Sequence, residues 1–162
     1  MIPLRLVGVR VELDSNQPIV LLREASGTRY LPIFIGSPEA TAIVYAMQGL
    51  DTPRPMTHDL FKQVLDDRGI RLRRVDITAL EDRTFFAELH LDHAGDVRRI
   101  DSRPSDAIAL AVRFGADEVE LFADEDVMAE AGVELPDEND DPESQVEQFR
   151  EFLESINPED FA

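Results

Sequence analysis

The sequence predicts an α+β fold: two antiparallel β-meanders packed with three main helices, followed by an acidic C-terminal helical extension. Three observations carry this. Residues 2–35 alternate apolar and polar side chains in three runs separated by turn residues. Residues 70–102 repeat that pattern. Between and after these runs stand three segments with apolar side chains three and four residues apart, each entered through a proline or a capping residue.

Each element has a local reason. Leu4, Leu6 and, after a phase shift at Gly8, Val9, Val11 and Leu13 form a long strand over 2–13, bulged at Gly8. Asp14-Ser15-Asn16-Gln17 is turn chemistry. PIVLLRE (18–24) and RYLPIFI (29–35) are the next strands, joined at Ala25–Thr28. Ser37 suits an N-cap, Pro38 the first helical position and Glu39 the first turn. Ala42, Ile43, Ala46, Met47 and Leu50 make the apolar stripe of that helix, and Gly49 ends it. The loop DTPRPM (51–56) leads to Thr57, expected to cap a helix over 58–68 with Leu60, Phe61, Val64 and Leu65 inward and Gly69 as terminator.

The second meander begins with IRLRRVDITAL (70–80), where the alternation slips between Leu72 and Val75. Glu81-Asp82-Arg83 is short enough for a hairpin into TFFAELHLDH (84–93), and Ala94-Gly95-Asp96 turns the chain into VRRIDS. A residue before proline avoids helical angles, so Arg103 is the expected N-cap of a helix over 104–114. VELF (119–122) is a short strand, and Asp124 caps a short helix to Ala131. ELPDENDDP (134–142) is a polar linker, which divides the chain into a domain over 1–135 and an acidic extension over 136–162. Within the extension, Val146, Phe149, Leu153 and Ile156 give 143–156 one apolar face, expected to dock on the domain, on a second copy or on a partner.

Composition narrows the function. The chain has 162 residues and no cysteine, so disulfides and thiolate metal sites are excluded. No apolar run approaches the roughly 18 residues of a membrane span, and the N-terminus lacks the pattern of a signal peptide, so a cytoplasmic protein without a membrane partner is expected. The net charge of −18 argues against nucleic acid until it is divided. Residues 1–116 hold 16 acids and 15 bases, whereas residues 117–162 hold 18 acids and one base, Arg150. The main domain is balanced, and its basic side chains are nearly all arginine.

The stretches LPIFIGSPEATAIVYAMQG, RPMTHDLFKQVLDDRGI, FFAELHL and IDSRPSDAIALAVRFGADEV together resemble the bifunctional nuclease domain family, also catalogued in bacteria as a domain of unknown function. The resemblance covers about residues 4–135 and rests on the Gly36–Glu39 turn, the Arg54–Asp59 loop and the Arg103–Asp106 cluster, in family order and spacing. It implies an α+β domain, self-association with a dimer as the first expectation, and cleavage of DNA and RNA. The low lysine count and acidic tail are compatible with an actinobacterial member.

The candidate site residues stand at the helix starts. Arg54, Arg103 and Ser105 are the phosphate-binding candidates, since arginine beside free helix amides suits an oxyanion. His58, Asp59 and Asp106 are the catalytic candidates, His58 as general base or acid at a helix mouth. If Glu39, Asp59 and Asp106 converge, three carboxylates could hold Mg²⁺ or Mn²⁺. Capping alone accounts for each of these acids equally well. His90 and Asp92 share one strand face, with His93 opposite; a solvated sheet face explains them better than a metal. There is no G-x-S-x-G or phosphate-cradling glycine loop, and no organic cofactor is expected. The leading expectation is a metal-assisted nuclease acting on DNA or RNA with little sequence selectivity. The alternative is a non-enzymatic oligomeric or regulatory module whose tail mimics a polyanion.

Overall fold

The computed structural model describes residues 1–11, 14–115 and 117–135. The expected linker and the helix over 143–156 lie outside the described residues. Within them the strands are β1 (Ile2–Val11), β2 (Pro18–Glu24), β3 (Arg29–Phe34), β4 (Ile70–Glu81), β5 (Thr84–His93), β6 (Asp96–Ser102), β7 (Glu120–Ala123) and β8 (Val133–Glu134). The helices are α1 (Ser37–Met47), α2 (Thr57–Asp67), α3 (Pro104–Phe114) and α4 (Glu125–Ala131).

Both meanders are present, but they are halves of a single eight-stranded sheet, in the order β6-β5-β4-β7-β1-β2-β3-β8. The short β7 stitches them together. It runs parallel to β4, with Val75 opposite Leu121, and antiparallel to β1, with Leu4 opposite Leu121. The two irregularities read from the alternation are real. The β1–β2 register shifts between Leu6 and Gly8, and the β4–β5 register shifts between Leu72 and Arg74. Asp82 and Arg83 both take positive φ, 47° and 68°, which is the geometry of a two-residue hairpin whose twist matches the strands.

Helix α3 is the centre of the core. Ala107, Ile108, Ala109, Leu110 and Ala111 are all buried, because α3 is packed against α1 and α2 on one side and against β4 and β5 on the other. Small residues let the neighbouring helices approach, while each fully buried Ile or Leu contributes on the order of 1.5–3 kcal/mol.

Three local expectations are corrected. The N-cap of α1 is Gly36, not Ser37, and that of α2 is Met56, not Thr57, so each cap lies one residue earlier. Met47 and Leu50 are exposed, because α1 meets the sheet through Ala40, Ala42 and Ile43 in its first two turns. The third correction concerns α2. Leu65 is buried, but Leu60, Phe61 and Val64 are 54%, 40% and 52% exposed. The helix is rotated so that His58, Lys62 and Leu65 form the inner face. The Lys62 ammonium lies 5.0 Å from the centre of the Phe114 ring, and His58 reaches α3. Polar contacts set that rotation against the apolar periodicity.

Candidate functional site

Helices α1, α2 and α3 begin with the same device. Counted from the N-cap, the third residue of each is an acid: Glu39, Asp59 and Asp106. An acid at that position can accept the N-cap amide and complement the positive helix end. Only Asp59 does the former: its Oδ2 accepts the Met56 N–H at 2.9 Å. Its Oδ1 accepts Arg113 Nε at 2.6 Å. Arg113 also donates from Nη1 to the carbonyls of Ala42 (3.1 Å) and Ala109 (2.7 Å). This arginine, with its side chain 6% exposed, ties α1, α2 and α3 together.

Asp106 leaves the backbone amide of its N-cap, Arg103, and faces two side chains instead. Arg103 grips it with two donors, Nε to Oδ2 at 2.8 Å and Nη2 to Oδ1 at 3.0 Å. His58 Nε2 stands 3.0 Å from Oδ1. The third donor of the fork, Arg103 Nη1, reaches Glu39 Oε1 at 3.1 Å. Glu39, Arg103, Asp106 and His58 therefore form one continuous chain across the starts of three helices.

The electrostatics follow from these contacts. Burial pushes the Asp106 carboxyl up, but the hydrogen bonds from Arg103 and His58 outweigh it and hold the group below the ordinary carboxylate range. An ionised Asp106 accepts, so His58 Nε2 donates, and the neutral imidazole keeps a lone pair on Nδ1. The Asp106 carboxylate in turn raises the Arg103 guanidinium. Asp59 behaves similarly in its own setting: burial pushes it up, and Arg113 and the Met56 amide bring it below its usual value.

The sequence-predicted residues thus divide. Glu39, His58, Arg103 and Asp106 come together, and Ser105, 6% exposed, is buried beside them. Asp59 belongs to the Arg113 strut. Arg54 is exposed in the loop before α2, with no side-chain partner among the described residues. The acids are held by guanidinium groups, and among the described residues no three His, Asp or Glu side chains are grouped to hold a metal ion. This donor set does not fit a shared Mg²⁺ or Mn²⁺.

Two features escape a reading by motif. Arg113 is a buried cation in the last turn of an apolar helix, and its only signal is that its surroundings are apolar. The other is a buried acid in β4. Asp76, 6% exposed, accepts from Arg74 and lies 3.0 Å from His90 Nε2. Arg74 is stacked 3.9 Å from the centre of the Phe122 ring. His90 is therefore engaged by Asp76, while Asp92 accepts from Arg73 and from the Gly95 amide. His90 and Asp92 do not act as a pair.

Comparison with known proteins gives the context. The family model described as the bifunctional nuclease domain matches residues 20–136. An uncharacterized protein of the actinobacterium Mycobacterium tuberculosis is 45% identical over 163 residues, covering 97% of this chain and 96% of that protein. Bifunctional nuclease 2 of Arabidopsis thaliana is 35% identical over 101 residues, 60% of this chain and 31% of that protein. Bifunctional nuclease 2 of Oryza sativa subsp. japonica is 30% identical over 110 residues, 65% of this chain and 34% of that protein. The matched stretch is about a third of each of these two plant relatives' length. No described helix is long and apolar enough to cross a membrane.

Proposed function

Because the chain belongs to the bifunctional nuclease domain family, we propose that it cleaves DNA and RNA phosphodiesters with little sequence selectivity, at the junction of α1, α2 and α3. The observation that carries this reading is the chain of contacts from Glu39 through Arg103 and Asp106 to His58. His58 is the general base. Asp106 fixes its tautomer and stabilises the imidazolium that forms. His58 Nδ1 takes a proton from an attacking water, whose oxygen bonds to phosphorus as the bond to the leaving sugar oxygen breaks. The leaving oxygen takes its proton from solvent. Arg103 binds the phosphate: a guanidinium has five N–H donors, and three are used on Asp106 and Glu39, which leaves two for phosphoryl oxygens. Glu39 holds the fork in place. Arg54, exposed in the loop before α2, is the further phosphate contact.

The test is cleavage of DNA and RNA by highly purified protein with Mg²⁺, with Mn²⁺ and with EDTA, which also decides the metal requirement. His58→Ala and Asp106→Asn are expected to lower the rate by about 10²–10⁴-fold, the usual range for a general base and the group that orients it. Variants that cut as fast as the parent would overturn the assignment.

The alternative, a non-enzymatic oligomeric module, is favoured by the exposed row Leu60, Phe61 and Val64 on α2. Under that reading the row is the face of a homodimer. Phe61→Glu is expected to convert a dimer to a monomer in sedimentation measurements. A parent protein that is monomeric at all concentrations removes this reading.

A further inference from the structure

The cluster borders a cavity that its chemistry does not use. This cavity, of about 220 Å³, lies between the starts of α1 and α3 and the β4–β5 hairpin. Arg103 stands at it, and Phe34, Ile35 and Phe85 supply apolar wall. Ser105 also lines it. Ser105 and Asp76 are the two polar residues among those described that are buried as whole residues, backbone included. Asp76 has Arg74 and His90 as partners, whereas no hydrogen-bond partner is found for the Ser105 hydroxyl among the described residues. A buried polar group without a partner requires an explanation, and a ligand supplies one.

The shape and lining select the ligand class. Drug-sized pockets run to about 300–1,000 Å³, so this smaller space suits one planar ring system. A phosphate against apolar walls would be poorly solvated. A nucleobase has apolar faces and needs only a few hydrogen bonds at its edge, which a serine hydroxyl can give or accept. Arg103, at the border of the cavity and the cluster, is where the phosphate of the same nucleotide would lie.

We propose that this cavity receives the base of an unpaired nucleotide, with Ser105 as its hydrogen-bonding residue and Arg103 on the adjoining phosphate. The inference rests on the nuclease reading and sharpens it. A paired, stacked base cannot enter without being extruded, so the substrate class is single-stranded nucleic acid or an unpaired end.

The test is equilibrium binding of labelled oligonucleotides to the full chain in EDTA, with His58→Ala used if cleavage persists. Three probes of one length are compared, a single strand, the same strand carrying abasic sites and a blunt duplex, with inorganic phosphate as a competitor. The single strand is expected to bind about ten-fold tighter than the abasic strand, the order of one buried hydrogen bond with its contacts. Ser105→Ala is expected to erase most of that difference. Thr84→Trp, at an exposed strand position lining the same cavity, is expected to erase it by filling the space, without disturbing the core. Equal binding of the intact and abasic strands overturns the base pocket and leaves the nuclease reading standing if His58→Ala still abolishes cleavage. Base-dependent binding without cleavage under any condition retains the pocket and removes the nuclease reading.

Discussion

Asp59 and Asp106 are near twins that do opposite work. Each follows an Arg-Pro pair, and each is the third residue of its helix. Their side chains are almost equally exposed, 35% and 37%. The difference lies in the arginines that hold them: Arg113 is 6% exposed and Arg103 is 63% exposed. Arg113 has its donors fixed on Asp59 and two helix carbonyls, and it acts as a strut. Arg103 spends as many donors, three, but it faces solvent, where its two remaining N–H groups can meet a ligand. The exposure of the partner, not the identity of the acid, separates architecture from chemistry.

The largest effect expected from this comparison is on stability. Arg113→Met leaves Asp59 partly buried without its counter-charge and the carbonyls of Ala42 and Ala109 without that donor. Breaking a fully buried pair costs about 3–5 kcal/mol; with Asp59 35% exposed the loss is expected toward or below the lower end of that range. Arg103→Ala removes an exposed pair and is expected to cost no more than about 1 kcal/mol, while abolishing phosphate binding. Urea melts of the two variants measure this directly. Equal losses would mean that the two arginines do the same work.

A smaller effect separates the two acids by pH and salt. Both folded-state carboxyl groups lie below their usual value. The sign follows: their contributions are present above the unfolded pKa of about 3.9 and are lost as pH falls through the lower folded values. Asp59→Asn is expected to flatten the acid limb of the stability curve at low and high salt alike, because its partner is shielded from solvent. Asp106→Asn is expected to flatten it at low salt only, since at about 1 M salt the screening length is about 3 Å. The urea midpoint against pH at both salt levels is the measurement. Identical salt responses would dissolve the distinction.

Much of this fold was legible residue by residue, and little of the site was. Both meanders, the bulge at Gly8 and the slip after Leu72 follow from period-two alternation, which is a local signal. Helix α3 and its Arg103 cap follow from one proline and an apolar run. The rotation of α2 did not follow, because His58 and Lys62 bind α3 through contacts that no periodicity encodes. The union of the meanders depends on the four residues of β7. The acids were legible as candidates, but His58 meets Asp106 across 48 residues and Glu39 meets Arg103 across 64. Such separations leave no trace in spacing, and each acid already had a sufficient local explanation as a cap.

The smallest expected effect tests how finely the Arg103 side of the comparison is set. Gly36, the N-cap of α1, has φ −74°, which any residue accepts, so its glycine is not explained by backbone strain. A Cβ at this position would run into the Glu39 carboxylate, which is folded over it. Glu39 is the end of a flexible side chain, so Gly36→Ala is expected to displace it rather than unfold α1, with a stability change within about 1 kcal/mol. The displaced carboxylate releases Arg103 Nη1, and the guanidinium is then held by Asp106 alone. If Glu39 serves to orient the fork, cleavage by Gly36→Ala falls several-fold with a higher KM, and Glu39→Gln in the parent background, which keeps an acceptor oxygen in place, loses less. If Gly36→Ala leaves KM unchanged, Glu39 is an ordinary first-turn acid. The Arg103–Asp106–His58 contacts would then be sufficient by themselves.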